Sequence, residues 1–196
     1  MKNTLLAAIL VVSTLFGAGC SSKKDATETA KDTNETKVDN EATATSSGSK
    51  SDTKDVSEYM VDLANTGRIE YELSKMAQEG AANAKVVAFA AEVIKQHSTD
   101  ETELMAEAKK RNVTLPTTIS DYGNDLLKNL KGVKKGFEFD RKYLEYMAEA
   151  NNKGITKAGS LINETTDAEL KTFSQKILRD DQAHFNKTED LRKTLK

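Results

Sequence analysis

The sequence predicts an all-α protein, a four-helix bundle whose second and third helices are joined by a long connection holding a short extra helix. Three observations predict it. Apolar residues recur at threes and fours through four long stretches, which is the spacing of one helix face. The 196 residues include one Pro and no Trp, with 6% aromatic and 31% charged residues, a balance that favours helices over sheets. About 25 residues separate the second periodic stretch from the third, enough to cross a bundle from end to end.

The N-terminus reads as an export signal. Lys2 supplies the positive start, and Leu5 to Phe16 is an apolar run interrupted only by Ser13 and Thr14. Small residues then lead to Cys20. The run is shorter than the ~20 residues a membrane-spanning helix needs. Cys20 is the only cysteine, so no intrachain disulfide can form. Its place at the end of the run resembles a bacterial lipobox, with Gly17 where Leu is usual. That resemblance implies a signal peptide over 1–20, lipidation of Cys20 and a membrane anchor of two or three acyl chains. Ser21 after the cysteine, by resemblance to envelope lipoproteins, implies the outer membrane, facing the periplasm or the surface.

Residues 21–54 are Ser, Thr, Asp, Glu, Lys, Asn, Ala and one Gly, with Val38 as the one larger apolar side chain. Such a segment buries too little surface to offset its conformational entropy and is expected to be a disordered tether. The folded domain is expected over 55–196. Its first helix starts near Asp55, with Glu58 completing a capping pair. Val56, Tyr59, Leu63, Leu73 and Ala77 form its apolar stripe, and Gly80 ends it. The second helix runs from about Asn83 to Arg111, with Val86, Phe89, Ala90, Val93, Leu104 and Ala108 inward. Pro116 breaks the following connection, and Ser120 starts a short helix through Leu126, Leu127 and Leu130. The lysines in the turn 131–136 lack the strand–loop–helix setting of a phosphate loop.

The third long helix covers about Phe137 to Asn163, burying Phe139, Tyr143, Met147, Ala150, Gly154, Ala158 and Leu161. Gly154 costs about 1 kcal/mol against Ala inside a helix, and close helix approach is its expected reason. The fourth begins with a capping box, Thr166 and Glu169, and runs to about Leu195 with Leu170, Phe173, Ile177, Leu191 and Leu195 inward.

Polar residues interrupt all four stripes. Thr66 and Glu70 lie on the first, His97 on the second, Asn151 at the edge of the third, and Asp181, His184 and Thr188 on the fourth. Glu70, His97, Asn151 and Asp181/His184 each lie near the middle of a helix of about 40 Å at 1.5 Å per residue. Mid-length positions stay level whether neighbours run parallel or antiparallel, so these groups should meet in one layer. Burial demands it, because an unsatisfied polar group costs about 1–3 kcal/mol. The single long connection between the second and third helices is the feature that marks ferritin-like bundles.

Five segments occur in order: 67–77 (Gly-Arg-Ile-Glu-Tyr-Glu-Leu-Ser-Lys-Met-Ala), 93–97 (Val-Ile-Lys-Gln-His), 111–116 (Arg-Asn-Val-Thr-Leu-Pro), 139–143 (Phe-Asp-Arg-Lys-Tyr) and 177–185 around His184. Together they resemble the ferritin-like bacterial envelope family known as domain of unknown function 4142, over about Glu58 to Leu195. The resemblance implies a ferritin-like bundle, an exported location and no established activity. It carries over Glu70, His97 and His184 as the polar core. The chain departs from the family pattern at Asn151 and Gln96, where histidine and an acid are common.

Two functional readings follow. In the first, the polar layer is a hydrogen-bonded network that sets helix register, and the protein is a tethered structural or interaction module with no catalytic residue. In the second, Glu70, His97, Asp181 and His184 hold a single divalent metal ion, since imidazole and carboxylate suit zinc, copper or iron. Asn151 and Asp100 belong to the surrounding polar network, and Asp100, Glu101 and Asp180 are read as charges rather than ligands. A di-iron oxidase would need a Glu from each of two helices and Glu-x-x-His from each of the other two. Here Asp181-x-x-His184 fits one pair and His97-x-x-Asp100 reverses the order. No nucleophile accompanies either histidine. The net charge of -2 and interleaved basic and acidic residues argue against nucleic acid as a partner. The membrane, through the lipid anchor, is the one partner the sequence implies, and no protein partner can be named from it.

Overall fold

The computed structural model describes residues 24–41 and 50–195. Six helices follow in order: α1 (Ala26–Glu41), α2 (Lys50–Gly80), α3 (Ala84–Lys110), α4 (Asp121–Lys131), α5 (Phe137–Glu164) and α6 (Ala168–Thr194). There is no strand among the described residues. The signal segment 1–20, Cys20 included, lies outside them. None of the described helices is long and apolar enough to cross a membrane.

Short turns at 81–83 and 165–167 make α2–α3 and α5–α6 hairpins. Asn83 caps α3 by accepting from Lys85 N. Asp140, in the first turn of α5, accepts from Ala82 N at 2.9 Å and Asn83 N at 2.8 Å. The start of α5 therefore sits at the start of α3, and the two run parallel. At the other end, Arg111 closes α3 and bonds Asp167, the N-cap of α6, at 2.5 Å. The order is up, down, down, up, with 111–136 returning along the bundle. Within that return Ser120 caps α4, which packs Leu126 and Leu130 onto the core. The all-α bundle and its connection with an extra helix are as the sequence predicts.

Three expectations need correction. The tether reading fails over 26–41, where α1 forms and docks. Asn34 Nδ2 donates to Thr114 O at 2.9 Å, and Thr114 N donates to Asn34 Oδ1 at 2.7 Å. Lys37 reaches Asn112 O and Thr114 Oγ1, and Lys31 pairs with Asp62 on α2. Polar contacts, not an apolar stripe, hold this helix. Second, α2 begins at Lys50, so Asp55 and Glu58 lie inside it and not at its start. Third, the α6 cap is Asp167, which accepts from Glu169 N and Leu170 N. Thr165, rather than Thr166, supports it by accepting from Asp167 N.

The buried side chains form two apolar clusters. One holds Leu73, Val86, Phe89, Val93, Leu130, Phe139, Tyr143 and Met147 near the α2–α3 turn. The other holds Met60, Leu63, Leu104, Ala158, Leu161, Leu170 and Ile177 near the α5–α6 turn. Between them along the helices lie buried Thr66, Glu70, His97, Asp100, Asn151, Asp181 and His184. The expected polar layer is thus a slab dividing the core.

Candidate metal centre

Glu70 comes from α2, His97 from α3, and Asp181 and His184 from α6. The last two are three residues apart and so share one helix face. Each occupies a stripe position that an apolar residue would otherwise fill, which explains why all four are buried, Glu70 completely. One ligand atom from each lies within 4.8 Å of the others. Glu70 Oε2 and His97 Nε2 share a hydrogen bond of 3.0 Å. The two imidazole rings are 5.5 Å apart at their centroids, and Phe89 stands edge-on to His184 at 5.9 Å.

Two glycines make room for these groups. A Cβ at Gly67 would stand 3.3 Å from His97 Nδ1. A Cβ at Gly154 would collide with Asp181 Oδ2 and lie 3.1 Å from its Cγ. Close approach does explain Gly154, but what approaches is the carboxylate of α6, not the helix backbone that the sequence suggests.

Burial divides the four groups electrically. It opposes charge on His97, but the Glu70 carboxylate, aided by Asp181 and Asp100, overrides it and lifts this imidazole to about 9. Burial lowers His184, the His97 cation lowers it further, and it settles at about 4. Burial, reinforced by the charge of Glu70, pushes the Asp181 carboxyl well above its usual range. Near neutral pH the layer therefore pairs a cationic His97 with Glu70 and keeps His184 neutral.

The network residues sit beside this cluster. Asn151 is fully buried and donates to Met147 O in its own helix. Asp100 is buried. It accepts from Lys176 at 2.6 Å and Gln96 at 3.1 Å, and Gln96 extends to Asp180. Glu101 does lie at the surface, paired with Arg68. Sequence reasoning missed the roles of Gly67, of Asp140 as the tie to α3, and of Ser74, whose hydroxyl bonds the buried Tyr143 hydroxyl at 2.9 Å. A small residue on an otherwise apolar stripe was the available signal for Gly67 and Ser74.

Four buried polar atoms have no partner among the described protein groups: Glu70 Oε1, His184 Nδ1, Asn151 Oδ1 and Thr188 Oγ1. Two belong to the cluster, and each would cost about 1–3 kcal/mol if left so. Two imidazoles and two carboxylates are a donor set for zinc, copper or iron. Bonds of about 2.0–2.2 Å place tetrahedral donors roughly 3.4 Å apart, so contraction on the order of 1 Å would close the cluster on an ion.

No curated protein matches the sequence. Solved structures do match in fold. A conserved hypothetical protein from Mycobacterium tuberculosis aligns with a TM-score of 0.60 at 12% identity, covering 73% of this chain and 94% of its own. A putative secreted DUF305 protein from Streptomyces coelicolor aligns at 0.60 and 13%, covering 69% and 89%. CopM in its Cu(II)-bound form aligns at 0.61 and 14%, covering 70% and 95%. At these identities the likeness is one of helical-bundle fold. Residues 39–191 match the family described as Domain of unknown function (DUF4142), and the chain belongs to that family.

Proposed function

We propose that this protein is a metal-binding component of the cell envelope, holding one divalent transition-metal ion at Glu70, His97, Asp181 and His184. The observation that carries the reading is the convergence of four ligand atoms from three helices within 4.8 Å, in a buried layer. The unpartnered Glu70 Oε1 and His184 Nδ1 support it, since a purely structural network would be selected to satisfy its members. The reading is further supported by the fold shared with CopM, which is described in a Cu(II)-bound form. An incoming cation must displace the proton that Glu70 holds on His97, so affinity should rise with pH through neutrality.

Elemental analysis of the purified protein after loading with zinc, copper or iron and desalting tests the proposal. About one ion per chain is expected, lost in His97→Ala and His184→Ala with helical content retained. A folded wild-type protein that retains no metal refutes it. The 3.0 Å Glu70–His97 bond favours a second reading, a register-setting core network in a structural or interaction module, which that negative result would leave standing.

The anchoring at Cys20 completes the proposal. The apolar run before a lone cysteine supports it. Cys20→Ser should move the protein from the membrane fraction to the soluble fraction. Unchanged partition would remove the anchor from the proposal without touching the metal centre.

A further inference from the structure

A cavity of about 40 Å³, measured as the space open to the centres of water molecules, lies against one side of the cluster. Its walls include Leu63 and Ala64 of α2, Leu104 of α3, and Phe173 and Ile177 of α6, and it reaches His97 and Asp181. Its rim carries Arg68 and Glu101, whose 2.6 Å ion pair bridges α2 and α3. Arg68 also donates to Pro116 O, tying the return connection to the rim. Thr66 adds no free hydroxyl, because its Oγ1 donates to Asp62 O at 2.9 Å.

We propose that this cavity binds a small neutral molecule of two or three heavy atoms, of the class of dioxygen or nitric oxide, beside the His97–Asp181 face of the centre. The inference rests on the metal reading for the role of such a ligand, but not for its binding. One water needs roughly 10–15 Å³ of such space, so the volume suits a diatomic or triatomic guest and excludes a larger organic one. Water itself wants two to four polar partners, and those of the cavity, His97, Asp100 and Asp181, gather at its inner end, while Leu63, Ala64, Leu104, Phe173 and Ile177 leave the rest to an apolar guest. Four protein donors leave a transition metal room for a fifth ligand, and this cavity is where one would arrive.

Two probes test it. Xenon applied to the metal-free protein should shift the methyl resonances of Leu63, Ala64, Leu104 and Ile177 saturably, and Leu104→Trp should abolish the shift. Nitric oxide added to the ferrous-loaded protein should form an iron–nitrosyl signal that Leu104→Trp reduces at least tenfold while iron content stays unchanged. Ala64→Leu fills the same space from α2 should the Trp variant lose helical signal. No methyl shift with xenon overturns the proposal. So does an undiminished nitrosyl signal in the filled variants, with the metal reading intact. A protein that takes up no iron, zinc or copper but binds xenon sinks the metal reading and sustains the cavity.

Discussion

Gly154 on α5 faces the carboxylate of Asp181 on α6, so closely that a Cβ at residue 154 would lie 3.1 Å from the carboxyl carbon. The pairing sets two effects against each other. Gly154→Ala gains about 1 kcal/mol of helix propensity, but it drives the buried Asp181 carboxylate from its place in the polar layer. The clash wins. We expect Gly154→Ala to lower stability by about 1–3 kcal/mol, the range for overpacking, and to weaken metal retention. In a double-mutant cycle Asp181→Ala should restore most of the stability lost to Gly154→Ala. Additive losses in urea unfolding would show that the contact carries no energy.

The Glu70–His97 pair makes the metal-free protein pH-sensitive in a defined direction. The folded pKa of His97, about 9, lies above its unfolded value near 6.5. Its stabilising contribution is therefore fully present below about pH 6.5 and is lost as pH rises through 9. The stability difference between wild type and Glu70→Gln should amount to a few kcal/mol at pH 6 and shrink steadily towards pH 10. Urea midpoints measured across that range in the presence of a chelator check it, and a pH-independent difference would refute the charge assignment.

Asp167 acts with the opposite sign. Hydrogen bonds from Leu170 N, and further in the same direction Arg111 and Glu169 N, hold its carboxyl below the usual range against a small cost of burial. Its contribution is present above the unfolded value of about 3.9 and is lost as pH falls through the lower folded value. Asp167→Ala should cost about 1 kcal/mol at pH 7, the usual worth of an N-cap, and almost nothing at pH 2. Thermal unfolding at the two pH values decides it.

The two hydrogen bonds between Asn34 and Thr114 predict a local effect. Asn34→Ala should accelerate amide exchange across α1 and at Thr114 N by tenfold or more. Protection in the cores of α3 and α6 should stay within about twofold, because few apolar groups tie α1 to the bundle. Equal acceleration throughout would mean that α1 is part of the cooperative core.

The stripes of α3 and α5 were legible because burial in a helix repeats every 3.6 residues. Val86, Phe89, Val93, Tyr143, Met147 and Ala158 are all buried as their spacing requires. The same periodicity exposed Glu70, His97, Asp181 and His184 as polar groups on apolar faces. It was blind to α1, whose segment carries no stripe and is ordered by bonds to residues some 80 positions away, such as Asn34 to Thr114. It placed the α6 cap one residue early, at Thr166 rather than Asp167. Several short polar residues can cap a turn, and only the backbone path selects among them.

Helix periodicity alone thus determined which side of each long helix is buried and that polar groups interrupt all four, because both are properties of a single chain segment. Tertiary structure decided the rest. That Glu70 bonds His97, that Asp181 lies in the space left by Gly154, and that four ligand atoms come within 4.8 Å all depend on how α2, α3, α5 and α6 rotate and slide against one another. Those degrees of freedom are set by packing between segments far apart in the chain, and no local pattern encodes them to the ångström that coordination chemistry needs.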